Sequence, residues 1–182
     1  MITRIVKAIV LDGTTYREVT EDNSATIDAF FLVLIYILAL VIPYAFNGVF
    51  SWIMIVLLIP LMLLEWFLST GVIHLVARRL FKGEDNLIGF FRAMGFSLSA
   101  GILNVLTVIP TIGLVINGLV GLLMFIASIV AIRSALKIGT FSAILSLILA
   151  NIISGLLFGC LLVPIILLLG PDTILNNLEQ LR

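Results

Sequence analysis

Three long runs without a charged side chain decide what this chain can fold into. They cover residues 29–64, 93–132 and 138–171. A helix needs about 20 apolar residues to cross a bilayer, so each of the first two runs can hold two spans and a turn. The third run is too short for that, and we expect one long helix there. The sequence therefore predicts an all-α, polytopic integral membrane protein with five transmembrane helices.

Turn residues and polar residues set the predicted boundaries within these runs. Pro43, Asn47 and Gly48 supply the first turn, and Pro110 with Gly113 supplies the second. The five predicted spans are about 28–46, 49–77, 88–109, 112–135 and 139–169. An N-terminal segment, 1–27, precedes them, and a short amphipathic segment, 172–182, follows.

The N-terminal segment begins with a pattern that is typical of a helix lying in the membrane interface. Apolar residues recur at helical spacing through residues 2–11, with Arg4 and Lys7 on the opposite face. The pair Asp12 and Gly13 ends this pattern, and Thr15 with Glu18 predicts a capping box for a second short helix. The alternative is a solvated tail whose helix is transient.

Composition excludes several classes of function. Hydrophobic residues make up 62% of the chain, charged residues make up 11%, and the net charge is zero. A nucleic-acid partner is not expected without an excess of positive charge. Cys160 is the single cysteine and His74 the single histidine, so we expect neither a disulfide, nor a metal site, nor any cofactor.

The distribution of basic residues predicts the orientation. Four of them, Arg78, Arg79, Lys82 and Arg92, form a basic loop between the second and third spans. With five spans, nine of the ten Lys and Arg residues lie on one side, and Arg182 alone lies on the other. The positive-inside rule then places the N-terminus in the cytoplasm and the C-terminus outside the cell membrane. A sixth span would move Arg182 only, so this bias does not exclude one.

Small residues at four-residue spacing mark the helix faces that pack closely, because helices associate in lipid through close backbone approach. The third span carries Ala93, Ser97 and Gly101, the fourth carries Gly113 and Gly121, and the fifth carries Gly155 and Gly159. We expect these stripes to hold the bundle together. A role of one stripe as a seam between two copies of the chain stays open.

Glu65 is the most informative single residue, because an intramembrane carboxyl is costly and usually faces the bundle or a water-filled cavity. Asn151, near the predicted midplane, is a possible partner, as are Ser97 and Ser128. Three roles stay open for Glu65: a hydrogen bond to a neighbouring helix, an ion or proton site, and a lipid contact. His74 is half a turn out of phase with Glu65, and we expect it near the cytoplasmic surface beside Arg78.

No enzyme signature occurs in the sequence. The metalloprotease, nucleophile-elbow, phosphate-loop and paired-aspartate patterns are all missing. We therefore expect a protein that is not an enzyme.

The basic loop and its flanks resemble the Yip1 family of five-span membrane proteins. The resemblance is carried by the stretch from His74 to Gly83 and by Phe90 to Ser97, with weaker similarity from Arg4 to Val19 and from Arg133 to Thr140. It implies a cytoplasmic N-terminus and an external C-terminus. In eukaryotic members it also implies vesicle traffic, membrane shaping and contact with prenylated Rab-type GTPases. This chain lacks the Asp-Leu-Tyr-Gly-Pro motif of those members, which argues against Rab binding and indicates a prokaryotic-type member.

Two functions follow as hypotheses. The first is a non-enzymatic scaffold or adaptor for membrane proteins or lipids, indicated by the packing stripes, the resemblance and the missing catalytic groups. Its partners would be membrane lipids, other membrane proteins or further copies of the chain. The alternative is a small oligomeric transporter or channel that uses Glu65, with Asn151 and a helix kinked at Pro60.

Overall fold

The computed structural model describes the backbone of residues 2–48 and 52–169, and within these ranges the chain forms helices and no strand. The elements in chain order are α1 (Ile2–Ile9), α2 (Gly13–Glu21), α3 (Ala25–Phe46), α4 (Trp52–Phe81), α5 (Leu87–Ser97), a 3₁₀ segment (Ser99–Val108), α6 (Pro110–Leu136) and α7 (Thr140–Leu169).

Five of the described helical stretches are long and apolar enough to cross a membrane. They are Ala25–Phe46, Leu58–Phe81, Leu87–Val108, Ile112–Leu136 and Thr140–Cys160. The predicted all-α membrane fold with five spans and a short N-terminal helix is therefore confirmed. Since α7 is one unbroken helix, no sixth span occurs between Thr140 and Leu169. The predicted C-terminal segment, 172–182, lies outside the described residues.

The third span differs from the continuous α-helix that the sequence predicts. It is α-helical from Leu87 to Ser97 and then continues as a 3₁₀ segment from Ser99 to Val108. A 3₁₀ helix rises about 2.0 Å per residue instead of about 1.5 Å, so this segment is thinner and longer than an α-helix of equal length. The third span is also the most buried of the five. It is the central element against which α1, α2, α3, α4 and α6 pack, whereas α7 packs against α4 and α6.

Two glycines of α5 allow its neighbours to approach closely. A Cβ atom added at Gly89 would lie 2.5 Å from the carbonyl oxygen of Thr20 in α2. One added at Gly95 would lie 2.9 Å from the carbonyl oxygen of Ala29 in α3. Real Cβ atoms do not occupy such positions, so only glycine permits both contacts.

The helices α1 and α2 form a compact unit that we call the N-terminal hairpin. The hydroxyl of Tyr16, which is fully buried, donates a hydrogen bond to the carbonyl oxygen of Ala8 at 3.0 Å. The Arg4 guanidinium contacts Glu18 at 2.8 Å and Asp22 at 2.7 Å. These bonds fix α1 on α2, and α2 in turn packs against α5 and α6.

The capping box predicted at Thr15 and Glu18 is wrong. The N-cap of α2 is Asp12, whose carboxylate accepts hydrogen bonds from the backbone N–H of Thr14 at 3.0 Å and from the hydroxyl of Thr15 at 3.1 Å. Asp12 has extended backbone angles directly before Gly13, so its side chain reaches the first free N–H group of the helix. Thr15 lies inside the helix and is buried.

The N-terminal hairpin and two short connections form what we call the charged end of the bundle. The connections are residues 82–86, between α4 and α5, and residues 137–139, between α6 and α7. The backbone N–H of Glu84 donates to the carbonyl oxygen of Leu136 at 3.0 Å, and Lys137 Nζ lies 2.6 Å from Glu84 Oε1. The two connections are therefore joined to each other.

Candidate intramembrane site

All five spans contribute side chains to a cavity of about 290 Å³ inside the membrane domain, which we call the central cavity. Its size is at the small end of the range for small-molecule sites, roughly 300–1,000 Å³. Most of its walls are apolar, but six side chains bring hydroxyl, amide or carboxyl groups to it: Tyr36, Glu65, Ser69, Thr70, Ser128 and Asn151. So many polar groups in one intramembrane cavity mark it as the candidate site.

A single face of α4 supplies much of the cavity wall. The lining residues of this helix recur at intervals of three and four, which places them on one side of it: Met62, Glu65, Trp66, Ser69, Thr70 and Ile73. Three of these six carry a carboxyl or hydroxyl group within a strongly apolar span. The periodicity is visible in the sequence, so Ser69 and Thr70 could have been predicted as site residues beside Glu65.

Among the residues that the structure describes, none makes a hydrogen bond or ion pair with the carboxyl group of Glu65, and this residue is exposed. An ionisable side chain within a spanning helix is costly and rare. Retaining an unpaired carboxyl at such a cost fits a group that binds something from outside the chain better than a group that joins two of its helices.

The predicted partners of Glu65 have other hydrogen bonds. Asn151 and Ser128 line the same cavity, but the Asn151 amide donates to the carbonyl oxygen of Leu147 at 2.8 Å. The Ser128 hydroxyl donates to Met124 at 2.9 Å. Ser97 is fully buried away from the cavity lining and donates to the carbonyl oxygen of Met94 at 2.7 Å. The structure thus brings Glu65, Asn151 and Ser128 together without bonding them to each other.

His74 lies outside the central cavity. Its imidazole is buried beside the ring of Phe90, and its Nε2 atom is 3.9 Å from Asp85 Oδ1. The other carboxylate oxygen of Asp85 forms an ion pair with Arg78 at 2.8 Å. His74 and Arg78 therefore share one acidic neighbour at the charged end.

The basic residues predicted to form one loop occupy different environments. Arg78 and Arg79 are exposed in the last turn of α4, and Lys82 begins the connection to α5. The prediction that Arg92 belongs to the basic loop is wrong, because this residue lies inside α5 and is 7% exposed. Its guanidinium donates to Thr26 Oγ1 at 2.8 Å, to the carbonyl oxygen of Thr20 at 3.2 Å and to Asn23 Oδ1 at 2.6 Å. Uncharged acceptors around the α2–α3 junction thus hold it in the interior.

The small-residue stripes also differ in their surroundings. Ala93, Ser97 and Gly101 are buried at the centre of the bundle, and a Cβ atom at Gly113 would lie 2.9 Å from the carbonyl oxygen of Thr107. Gly121 lines the central cavity. No described atom lies within 4 Å of the Cβ position at Gly121, Gly155 or Gly159. The face of α7 that carries Gly155 and Gly159 is therefore not covered by another described helix. This open face begins at Asn151.

Close contacts at Gly89 and Gly95 were not predicted from the sequence. Gly89 continues the four-residue spacing of Ala93 and Ser97 toward the start of α5, so that spacing could have identified it. Gly95 lies on another face of the helix, which the spacing does not mark.

Comparison with known proteins gives one match. A family model described as Yip1 domain matches residues 9–168 of the chain. No curated protein and no solved structure matches it. Within the described residues, no group of three or more His, Cys, Asp or Glu side chains is placed to hold a metal ion.

Proposed function

Since the chain belongs to the Yip1 domain family of membrane proteins, we propose that it is a non-enzymatic adaptor that binds other proteins within the membrane. The observation that carries this proposal is the unpaired carboxyl of Glu65 in the central cavity. The occupant that fits it best is a basic or amide side chain on a spanning helix of a partner, because such groups form hydrogen bonds across helices in lipid.

The surface beside the cavity suits the approach of another helix. Gly155 is exposed one helical turn from Asn151, and Gly121 on α6 has open space above it. Small residues allow two helix backbones to come close, which is what drives association in lipid. An adaptor needs both parts: a close-packing surface for affinity and a polar group for selectivity.

We further propose that the charged end faces the cytoplasm and that the protein resides in the cell membrane. This orientation leaves nine of the ten basic residues on the cytoplasmic side, in agreement with the positive-inside rule. The partners are membrane proteins and lipids, or a second copy of the chain, and neither a nucleic acid nor a Rab-type GTPase.

Photo-crosslinking in native membranes tests the adaptor. A photoreactive amino acid replaces Gly155 beside the cavity or, as a control, Leu114, which is 85% exposed on α6. We expect discrete protein adducts from position 155 alone. Glu65→Ala should reduce their yield about 3- to 30-fold, the range given by one interhelical hydrogen bond in lipid.

The matched control for Glu65→Ala is Glu21→Ala, which removes an exposed carboxyl at the charged end and should leave the adducts unchanged. Adducts from position 155 that persist at full yield in Glu65→Ala would contradict the proposal. Adducts whose masses are multiples of the mass of the chain would identify the partner as a second copy.

Transport is the second candidate, and the observation that favours it is the partly open central cavity with its six polar side chains. Proteoliposomes loaded with a pH-sensitive or cation-sensitive dye distinguish the two functions. The adaptor predicts no flux that depends on Glu65. A flux that Glu65→Gln abolishes would replace the adaptor with a transporter.

A further inference from the structure

A second cavity lies between α3, α4 and α5, and we call it the aromatic pocket. Its volume is about 250 Å³, and its apolar walls are Ala29, Phe30, Trp66, Phe67, Ile88 and Phe91. The three rings from α4 and α5 contact each other, with Phe91 5.5 Å from Trp66 and 5.5 Å from Phe67 between ring centroids. The pocket is therefore a defined aromatic cleft.

The aromatic pocket faces the lipid side of the bundle. Phe30, Phe67 and Ile88 line it and are 43%, 45% and 62% exposed. All three belong to stretches that are long and apolar enough to span a membrane, so we expect lipid beside them. A lipid acyl chain is the occupant available at such a position.

The end of the pocket nearest the N-terminal hairpin carries a buried positive charge. Arg92 and Thr26 line it there, and the three hydrogen bonds of the Arg92 guanidinium all go to uncharged acceptors. Within the described ranges, no carboxylate lies within ion-pair distance of this guanidinium. A guanidinium has five N–H donors, so two remain after those three bonds. An anion is the complementary ligand for such a group.

Trp66, which lines both the aromatic pocket and the central cavity, carries a second donor that needs an acceptor. The indole N–H of Trp66 is buried and has no hydrogen-bond acceptor among the described residues. A buried donor without a partner costs about 1–3 kcal/mol, so an occupant that supplies an acceptor gains affinity. The ester and phosphate oxygens of a phospholipid are acceptors, and its acyl chains are apolar.

We propose that the aromatic pocket binds one anionic phospholipid from the leaflet at the charged end. One acyl chain lies against Trp66, Phe67 and Phe91, and the phosphate lies toward Arg92. This site shares Trp66 with the central cavity but does not include Glu65, and its existence does not depend on the adaptor function.

Quenching of tryptophan fluorescence by brominated lipids tests the site directly. The chain has two tryptophans, so Trp52→Phe leaves Trp66 as the only one. This protein is reconstituted in phosphatidylcholine vesicles that contain a small fraction of either phosphatidylglycerol or phosphatidylcholine with brominated acyl chains. We expect the anionic brominated lipid to quench Trp66 with about fivefold higher apparent affinity, the factor that one basic residue contributes at an anionic surface.

Two substitutions in the pocket and one outside it separate lipid binding from folding. Ile88→Phe narrows the pocket without changing the bonds of Arg92, and it should remove the preference for the anionic lipid. Ile112→Phe, the same change at an exposed position on α6 outside the pocket, should keep it. Arg92→Gln removes the charge and should also remove the preference.

Equal quenching of Trp66 by the two brominated lipids would overturn the proposal. So would an anionic preference that survives Ile88→Phe, because the lipid would then lie elsewhere. If Arg92→Gln does not fold, the comparison of Ile88→Phe with Ile112→Phe still decides the outcome.

Discussion

Arg4 lies at the charged end of the bundle and Arg92 lies in α5 beside it, and their surroundings give them different roles. Arg4 is on the surface and contacts two carboxylates. Arg92 is buried and contacts only uncharged acceptors. Surface ion pairs contribute little stability and respond to pH through their carboxylates. The contacts of Arg4 therefore depend on pH, whereas the three acceptors of Arg92 are uncharged.

The attachment of α1 should depend on pH through Asp22. The hydroxyl and backbone N–H of Ser24, together with the Arg4 guanidinium, lower the pKa of Asp22 from 3.8 to about 2. A carboxyl whose pKa is lower in the folded protein stabilises it above its unfolded pKa and loses this contribution as the pH falls through the folded value. We expect the contact of Arg4 with Asp22, which attaches α1 to α2, to weaken between about pH 4 and pH 2.

A spin label at Thr3, in a protein whose Cys160 is replaced by serine, measures this effect. The rotational motion of the label should be slow at pH 6 and faster at pH 2. In Arg4→Gln the label should be mobile already at pH 6. A label equally slow at pH 6 and pH 2 would show that apolar contacts alone hold α1.

Glu65 could be predicted as a site residue from the sequence and Arg92 could not. A carboxyl within a long apolar run stands out because its burial is costly, whatever the neighbouring helices do. Arg92 follows a polar loop, so the sequence indicates a solvated cation. Its acceptors lie 66 to 72 residues earlier in the chain, and one of them is a backbone carbonyl. No local pattern marks such a partnership.

Among the elements, α5 depends most on small side chains. Gly95→Ala would place a Cβ atom 2.9 Å from the carbonyl oxygen of Ala29, so one of the two helices must shift. Overpacking of this kind costs about 1–3 kcal/mol. We expect Gly95→Ala to lower the free energy of unfolding by that amount in a reversible denaturation by detergent.

The control for this substitution is Gly118→Ala on α6, where the added Cβ atom meets nothing within 4 Å. Alanine favours a helix over glycine by about 1 kcal/mol, so this variant should be as stable as the parent or more stable. Equal stability of Gly95→Ala and Gly118→Ala would mean that the α3–α5 contact adapts without cost.

Helix positions could be predicted from the sequence because apolar runs and turn residues are local signals. The 3₁₀ segment could not, since residues 93–132 are uncharged throughout and give no sign of a change in helix type. At Gly101 this segment lies close to other helices, because an added Cβ atom would overlap the Tyr36 ring and lie 2.9 Å from Met124 Sδ. Contacts of this kind come from other helices.

For the molecule as a whole, the uneven distribution of Lys and Arg predicts which side of the membrane each connection faces. Cysteine placed at Lys82, at the charged end, should react with a membrane-impermeant maleimide only after cells are permeabilised. Cysteine at Asn47, exposed after the first span, should react in intact cells. Both variants carry Cys160→Ser. The reverse labelling pattern would show that the charged end is external.

The number of spans is a whole-molecule property that the sequence predicts well, because it depends on hydrophobicity and length. The composition of the central cavity is predicted only in part. Depth in the membrane gives Ser128 and Asn151 as possible neighbours of Glu65, and helical spacing gives the face from Met62 to Ile73. No spacing along the chain encodes which helices lie side by side, so Ser97 is wrongly predicted there as well.

The bonds of Arg92 also set an order for biosynthesis. Thr20, Asn23 and Thr26 are synthesised before their partner, which follows 66 to 72 residues later. At about 5–20 residues per second, this interval lasts between about 3 and 14 s. Until then these three acceptors lack the guanidinium of Arg92. A nascent chain that stops before α5 therefore exposes the α2–α3 junction, which distinguishes an unfinished protein from a completed one.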